Sequence, residues 1–342
     1  MQGVEMARWQ RADSGAGTGP VHLPVLPVQV LQILAGDEPG GPEGWIVDCT
    51  LGAGGHASSI LNAFPRAKLF GIDQDPDILG HAARALRAFG SRARIRRGRM
   101  SALGRLLDEE CLTRVVGVLI DLGASSLQLD LPERGFSFAK DGPLDMRMDP
   151  DRQRTAADIV NGWDESDLAD LFFYEGGEPR SRKLARAIVE ARRRAPFLRT
   201  GALAELVERT LGRSSGERGH LHPATRVFQA LRRAVNEEGE ELLAALAHAE
   251  QWLVDGGRLA AISFHSGEDG AVKRFLAQGA QAGRWRLLTK KPVRAGREEV
   301  RANRRARSAS LRGAVRTRRD VQDGGRGPWR PRSSAPCGEP LR

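Results

Sequence analysis

Cysteine is scarce in this chain. The three present, Cys49, Cys111 and Cys337, lie far apart and form no CxxC pair. That argues against a disulfide framework and against a zinc site, so no metal is expected. No apolar run is long enough to cross a bilayer, and the N-terminus lacks the apolar stretch of a signal peptide. The chain therefore reads as cytoplasmic, without a membrane partner. No internal repeat is present, so a solenoid is not expected.

What remains is a soluble composition in a chain of 342 residues with a hydrophobic fraction of 40%. That is enough to bury a large core as one elaborated domain or as two. The net charge of +10 is unevenly placed. Arg294–Arg319 holds ten Arg against two Glu, a local +8. A second basic cluster comprises Arg92, Arg94, Arg96, Arg97 and Arg99. Localised arginine suits a polyanion through counterion release and bidentate phosphate contacts. Residues 1–20 are Gly-rich and aperiodic, and 320–342 are rich in Pro, Gly, Ser and Arg. Both ends are expected to be disordered.

Between these ends the pattern alternates strand and helix. Trp45-Ile46-Val47 leads into the glycine turn VDCTLGAGGH, Val47–His56, and a helix is expected over Ala57–Phe64. A strand over Lys68–Ile72 ends in Asp73. Asp75-Pro76 then opens a helix whose Ile78, Ala82, Ala85, Leu86 and Phe89 share a face, with Gly90 to close it. Further strands are expected near Ala93–Arg96 and over Val115–Ile120, the latter ending in Asp121. Strands alternating with helices mean a parallel sheet with right-handed crossovers. From about Gln128 to Asn236 the strands stop and amphipathic helices take over. The sheet resumes at Arg258–Ser263, after a helix stop at Asp255-Gly256-Gly257. Residues near Arg284–Thr289 and Leu311–Val315 suit a closing antiparallel pair.

In an open α/β sheet, ligands bind at the carboxyl ends of the strands. Gly52, Gly54, Gly55 and His56 follow the first strand. Asp73 ends the second, about twenty residues on, where a carboxylate can take both ribose hydroxyls. Asp121 ends the fourth. These features fit NAD and S-adenosylmethionine equally well, because GAGGHA also meets the permissive form of GxGxxG.

Longer runs narrow the choice. HLPVL (His22–Leu26), DLGASSLQLD (Asp121–Asp130), ERGFSFAKDGPLDMRMD (Glu133–Asp149), HPATRVFQALRRAVN (His222–Asn236), GGRLAAISFHSGED (Gly256–Asp269) and NRRARSASL (Asn303–Leu311) occur in order. Together they closely resemble the bacterial 16S ribosomal RNA cytosine-N4 methyltransferases, the RsmH/MraW family, from about His22 to Arg316. The resemblance implies an α/β fold: a class I methyltransferase, with a Rossmann-like, mostly parallel sheet and an inserted helical subdomain. Residues 21–128 and 237–319 would bind S-adenosyl-L-methionine, and 129–236 would recognise substrate.

The implied reaction is methyl transfer to N4 of a cytidine in the decoding centre, near the P site. The implied partner is 16S rRNA within an assembled or nearly assembled 30S subunit, and the enzyme would be a monomer or a homodimer. Carried over by motif, the cofactor contacts are Gly54, Gly55, His56, Asp73, Met100, Asp121 and Gln128. Met100 stands where Phe is usual, and a thioether still packs on a purine. Asp121, with Ser125-Ser126, is the expected catalytic hydrogen-bond acceptor. Phe136, Phe138, Trp163 and Phe228 are candidates for base stacking, though core packing suits each of them better. His265 either faces the cleft or is a satisfied histidine after the fifth strand.

Gly267 and Gly270 replace Leu and Arg of the family's SFHSLEDR, and Gly239 replaces a Leu. Pro179, Gln29 and Leu127 also depart from the pattern. The glycines put local packing in doubt, and Gly267 and Gly270 leave room for a non-catalytic RNA-binding assembly factor. A DNA amino-methyltransferase fits less well, because DLGA stands where (D/N)PP(Y/F/W) would. A nicotinamide dehydrogenase leaves DGPLDMRMD unexplained.

Overall fold

The computed structural model describes residues 23–36, 40–212 and 222–317. The expected disordered segments 1–20 and 320–342, and His22 of HLPVL, lie outside the described residues.

After helix α1 (Pro27–Leu34), strand β1 (Gly44–Asp48) enters the glycine turn and helix α2 (Gly55–Ala63). Then come β2 (Ala67–Asp73), α3 (Pro76–Leu86), β3 (Ala93–Arg97), α4 (Leu103–Glu109) and β4 (Val115–Asp121). These four strands are parallel. After the helices that follow β4, β5 (Leu253–Ser263) extends the sheet in parallel with β4. The edge is formed by β6 (Trp285–Leu287) and β7 (Ser310–Arg316), with β7 antiparallel to both β5 and β6. The strand order is β3-β2-β1-β4-β5-β7-β6.

Alternation along each strand sorts side chains to the two faces. Ile46, Leu69, Leu119, Ala260 and Ile262 pack with Leu31, Ile60 and Ala82 from α1, α2 and α3. Val47, Phe70, Val118, Ile120 and Ala261 point the other way. They pack with Leu103 and Leu107 of α4, Leu246 of helix α11 (Glu238–Trp252) and Val272 of helix α12 (Ser266–Gln281). Both faces are covered, which is why these strands read as continuous apolar runs rather than alternating ones.

Between β4 and α11 the described residues contain no strand beyond an isolated bridge at Pro143 and Arg199. Helices α5 (Ser126–Asp130), α6 (Ala156–Gly162), α7 (Glu165–Asp170), α8 (Ser181–Arg192), α9 (Thr200–Leu211) and α10 (Pro223–Asn236) fill this stretch. They enclose a third core running from Phe136 to Val235. A last short helix, α13 (Arg297–Ala302), precedes β7.

Two expectations need correction. Helix α2 begins at Gly55, not Ala57, so His56 sits in its first turn. Asp255-Gly256-Gly257 does not separate α11 from β5, because the strand already runs from Leu253. Gly256 takes φ +81 there, and the β4–β5 pairing shifts register between Val115/Leu253 and Gly117/Arg258. A glycine in the left-handed region inside a strand is the mark of a bulge. Cys49 is free and buried.

Candidate active site

A cavity of about 350 Å³ opens at the carboxyl ends of β1, β2 and β4. One wall is the glycine turn. Asp73 shapes it from the end of β2: Oδ2 accepts from the Gly52 amide at 2.9 Å and Oδ1 from the Asp75 amide at 3.0 Å. The turn passes through φ +53 at Gly52 and +87 at Gly54, a region costly for other residues. Gly52 and Gly55 line the cavity. Gly54 does not: it faces Ala82 and Leu86 of α3, where a Cβ would make only ordinary contacts at 3.5 Å, so it is the left-handed backbone that calls for glycine there.

Asp73 and Asp121 line the cavity, and the buried Asp48 lies close enough for its charge to act on both. Burial pushes the Asp48 carboxyl up to about 7, with nearby Asp73 adding to the shift and a bond from the Thr50 amide opposing it. Burial likewise raises Asp73 to about 6, against the amides of Asp75 and Gly52. Asp121 is raised well above the usual carboxylate range, first by burial and then by the charges of Asp48 and Glu268. Its own amide donates to the Thr50 hydroxyl at 2.7 Å, which ties β4 to the glycine turn. His56 is lowered to about 4 by burial, against a bond to the Val25 backbone. It is therefore neutral at pH 7.

The opposite wall comes from the helical segment. Asn236, fully buried at the end of α10, accepts from the Met148 amide at 2.8 Å and donates to the Met146 carbonyl at 2.8 Å. The runs GPLDMRMD and HPATRVFQALRRAVN thus meet in one clamp. It holds Met146 in the left-handed region, φ +64, and places Met148 in the cavity wall. Arg232, one turn earlier, lines the cavity and is gripped by Glu238 at 2.7 and 2.8 Å.

Of the sequence-nominated residues, Gly55, His56, Asp73, Met100, Asp121 and Gln128 all line this cavity. Gln128 is committed internally: its Nε2 donates to Asp75 at 2.9 Å and its Oε1 accepts from the Ser125 amide at 2.9 Å. Ser125, nominated as an acceptor beside Asp121, instead caps α5 through the Gln128 amide. The sequence reading passed over Asp75, Arg232, Asn236 and Glu241. Asp75 was visible only as a helix start. The other three sit in helices whose apolar stripes drew the attention.

His265 caps α12, its Nδ1 accepting from the amides of Gly267 and Glu268, so its structural role accounts for it. Phe136 and Phe228 are buried in the third core, with Phe138 and Trp163 packed against it. The cluster Arg92–Arg99 is no free anion site. Arg92 donates to the backbone carbonyls of Leu61 and Pro65. Arg94 and Arg96 pair with Glu110, Arg97 with Asp149 and Asp151, and Arg99 with Glu237 and Glu241. Gly239 and Gly267 are exposed; a Cβ at Gly239 would meet nothing within 4 Å, one at Gly267 would meet His265 at 3.1 Å, and neither Gly267 nor Gly270 lines the cavity.

The strand order, the antiparallel β7 and a cavity at the carboxyl ends of β1, β2 and β4 define a class I, Rossmann-like methyltransferase fold. Within that class the chain belongs to the MraW methylase family, whose model matches residues 20–317. Similar curated proteins are named ribosomal RNA small subunit methyltransferase H. That of Methylobacterium sp. (strain 4-46) is 46% identical over 88% of this chain and 92% of its own length. That of Beijerinckia indica subsp. indica is 44% identical over 92% of this chain and 90% of its own length. One similar solved structure, an rRNA methylase from Streptococcus thermophilus, shows a TM-score of 0.39 at 10% identity, covering 85% of this chain and 94% of that one.

The family's cofactor is S-adenosylmethionine, and the cavity residues suit it. Gln74 Oε1, Arg99 Nε, His56 Nε2 and Asp121 Oδ1 are all buried without a hydrogen-bond partner, and all four residues line the cavity. The surrounding carboxylates match a sulfonium cation.

Proposed function

We propose that this protein methylates the exocyclic N4 of a cytidine in 16S rRNA, in the decoding centre near the P site. Its substrate is the assembled or nearly assembled 30S subunit in the cytoplasm. The observation that carries this reading is the unsatisfied Asp121 carboxylate at the end of β4, inside a carboxylate-lined cavity. The names of the similar proteins support ribosomal RNA of the small subunit as the substrate.

Asp73 and the backbone of Gly52, Ala53 and Gly55 would hold the ribose and amino-acid parts of S-adenosylmethionine, with Met100 against the adenine. Gln128 acts as a positioning residue, through Asp75. The cofactor supplies an electrophilic methyl group on sulfonium sulfur. The residues of the chain do the rest. The lone pair of cytosine N4 is delocalised into the ring, so placement matters more than a strong base. Holding N4 at near-attack distance supplies roughly 7–11 kcal/mol. Asp121 accepts the N4–H hydrogen bond as the nitrogen pyramidalises, and takes that proton once the N–C bond has formed. Burial raises its pKa, so in its ionised form it is a stronger proton acceptor than an ordinary carboxylate. Residues 129–236 form the substrate-recognition part and reach the reaction centre through Arg232 and Asn236.

The test is incubation of the purified protein with labelled S-adenosylmethionine and 30S particles lacking the modification, followed by mass spectrometry of 16S rRNA fragments. One methyl on N4 of one cytidine is expected. Cofactor binding without methyl transfer to any particle would overturn the reading in favour of a non-catalytic assembly factor.

A further inference from the structure

The ten arginines of residues 294–319 do not act as one patch. Arg312 lies in β7, 7% exposed, with a bidentate grip on Asp269 at 2.7 and 2.9 Å. Arg316 donates to the carbonyls of Glu250 and Arg284. Arg294 donates to the Ser308 carbonyl. Arg305 lines the cavity, and burial lowers its pKa against the charge of Asp130. Arg318 and Arg319 lie outside the described residues.

Four remain, and they share a geometry. Arg297 and Arg301 stand four residues apart on α13, and Arg304 and Arg307 three apart on the 3-10 turn Arg304–Ser308. Residues at i and i+4 of an α-helix lie on one face, and residues at i and i+3 of a 3-10 helix eclipse. All four are exposed, and among the described residues none forms an ion pair. The contrast with Arg92–Arg99 is direct, since carboxylates or carbonyls engage every arginine there. Of the two nearby acids, Glu299 accepts from the Leu26 amide at 2.6 Å, which fixes α13 to the N-terminal segment. Glu298 is exposed.

The position of this segment gives the free charge a direction. Asn303, Arg305 and Ser308 line the cavity, while Arg304 and Arg307, interleaved with them, face solvent. The same short stretch is therefore a cavity rim on one side and a row of cations on the other. Unpaired guanidinium groups held in a row repel one another, a cost offset when a polyanion binds.

We infer that Arg297, Arg301, Arg304 and Arg307 form a track for the phosphate backbone of a locally unpaired RNA strand. The track guides that strand past the cavity mouth, so that one base can turn inward. This rests on the rRNA methyltransferase reading and specifies which surface holds the RNA. Phosphate contacts of this kind fix register and carry no sequence information.

The experiment measures binding of a single-stranded RNA oligonucleotide spanning the methylated site, by fluorescence anisotropy across a salt series. Wild type is compared with the Arg297→Gln/Arg301→Gln and Arg304→Gln/Arg307→Gln double variants. Each double variant should weaken binding and reduce the slope of log K against log salt by about 1.4, at about 0.7 per phosphate contact on a single strand. S-adenosylmethionine affinity, measured by calorimetry, should be unchanged, which shows an intact fold and cofactor site. An unchanged salt slope with wild-type RNA affinity would overturn the track. So would weakening on 30S particles alone, with naked RNA unaffected, since that points to an acidic ribosomal protein as the partner. If instead wild type transfers no methyl to any particle, it is the methyltransferase reading that fails, and the binding data still judge the track.

Discussion

Nε2 of His56 lies 3.6 Å from Oδ2 of Asp121, and neither that nitrogen nor Oδ1 of Asp121 has a hydrogen-bond partner. The gap is too long for a hydrogen bond. With the imidazole lowered to about 4 it is no ion pair at neutral pH. A raised carboxyl and a neutral imidazole thus face each other, both unsatisfied, at the end of β4. Unsatisfied buried groups of this kind cluster where chemistry is done. Asp121→Asn keeps the shape and removes the proton acceptor. Single-turnover methyl transfer should fall by about 10²–10⁴-fold, the range for loss of a positioned base, while the circular dichroism spectrum stays that of wild type. A wild-type rate in this variant would remove Asp121 from the mechanism.

Asp48 makes the stability of the ligand-free protein depend on pH. Its carboxyl titrates near 7 when folded, against an ordinary 3.8. Between these values the folded state holds a proton that the unfolded state has released, so stability falls as pH rises through the window. His56 acts oppositely between about 4 and 6.5, because the unfolded state binds the extra proton there. Asp48→Asn removes the first contribution and leaves the second. Urea unfolding at several pH values should show the variant gaining on wild type from about pH 4 to 7 and levelling off above, by a few kcal/mol in order of magnitude. A difference that stays flat with pH would contradict this account.

Much of the sheet was legible because β1, β2 and β4 are apolar runs ending in acids, and acids at strand ends are where such folds place ligands. The glycine turn was legible too, though not the division of labour within it. Gly54 and Gly55 look alike in sequence, yet the first faces α3 and only the second lines the cavity. Long-range pairing hid the rest. Arg99 looks like part of a basic patch until Glu237 and Glu241, far along the chain, are placed beside it. Asn236 looks like the end of an amphipathic helix until its amide meets Met146 and Met148. Side-chain partners separated by a hundred residues leave no local pattern to read.

Asp75 joins three parts of the protein, and its removal should show in stability first. It is fully buried and caps α3 through the Asp77 amide at 3.0 Å. Its other oxygen takes Gln128 at 2.9 Å and Arg134 at 2.7 Å. Asp75→Ala removes the cap and leaves a largely buried guanidinium with only the longer pairing to exposed Asp77 at 3.4 Å, which costs about 3–5 kcal/mol. Asp75→Asn retains an acceptor for the cap and should cost less. The midpoints of urea unfolding give both values. Equal midpoints for Asp75→Ala and wild type would mean that Asp77 and the Arg147 and Met148 carbonyls, which also accept from Arg134, suffice without it.

Two glycines separate a backbone constraint from a tolerated departure from the family pattern. Gly135 holds φ +71, and a Cβ there would lie 2.1 Å from the Pro143 carbonyl oxygen and 2.8 Å from the Asp145 amide nitrogen. Both are backbone atoms of the loop that leads to Met146 and Met148, so no side chain can swing aside to make room. Gly135→Ala should destabilise by about 2–5 kcal/mol, combining left-handed strain with overpacking. It should also weaken S-adenosylmethionine binding, because Met148 lines the cavity. Gly239, which stands where the family has Leu, is the opposite case. It is the second residue of α11, exposed, and a Cβ added there would meet nothing within 4 Å. Gly239→Ala should stabilise by up to about 1 kcal/mol through helix propensity and leave methyl transfer unchanged. Thermal unfolding and calorimetric cofactor titration of the two variants decide between a core constraint and a tolerated surface change. If Gly239→Ala lowered activity, this position would carry a role beyond the helix itself.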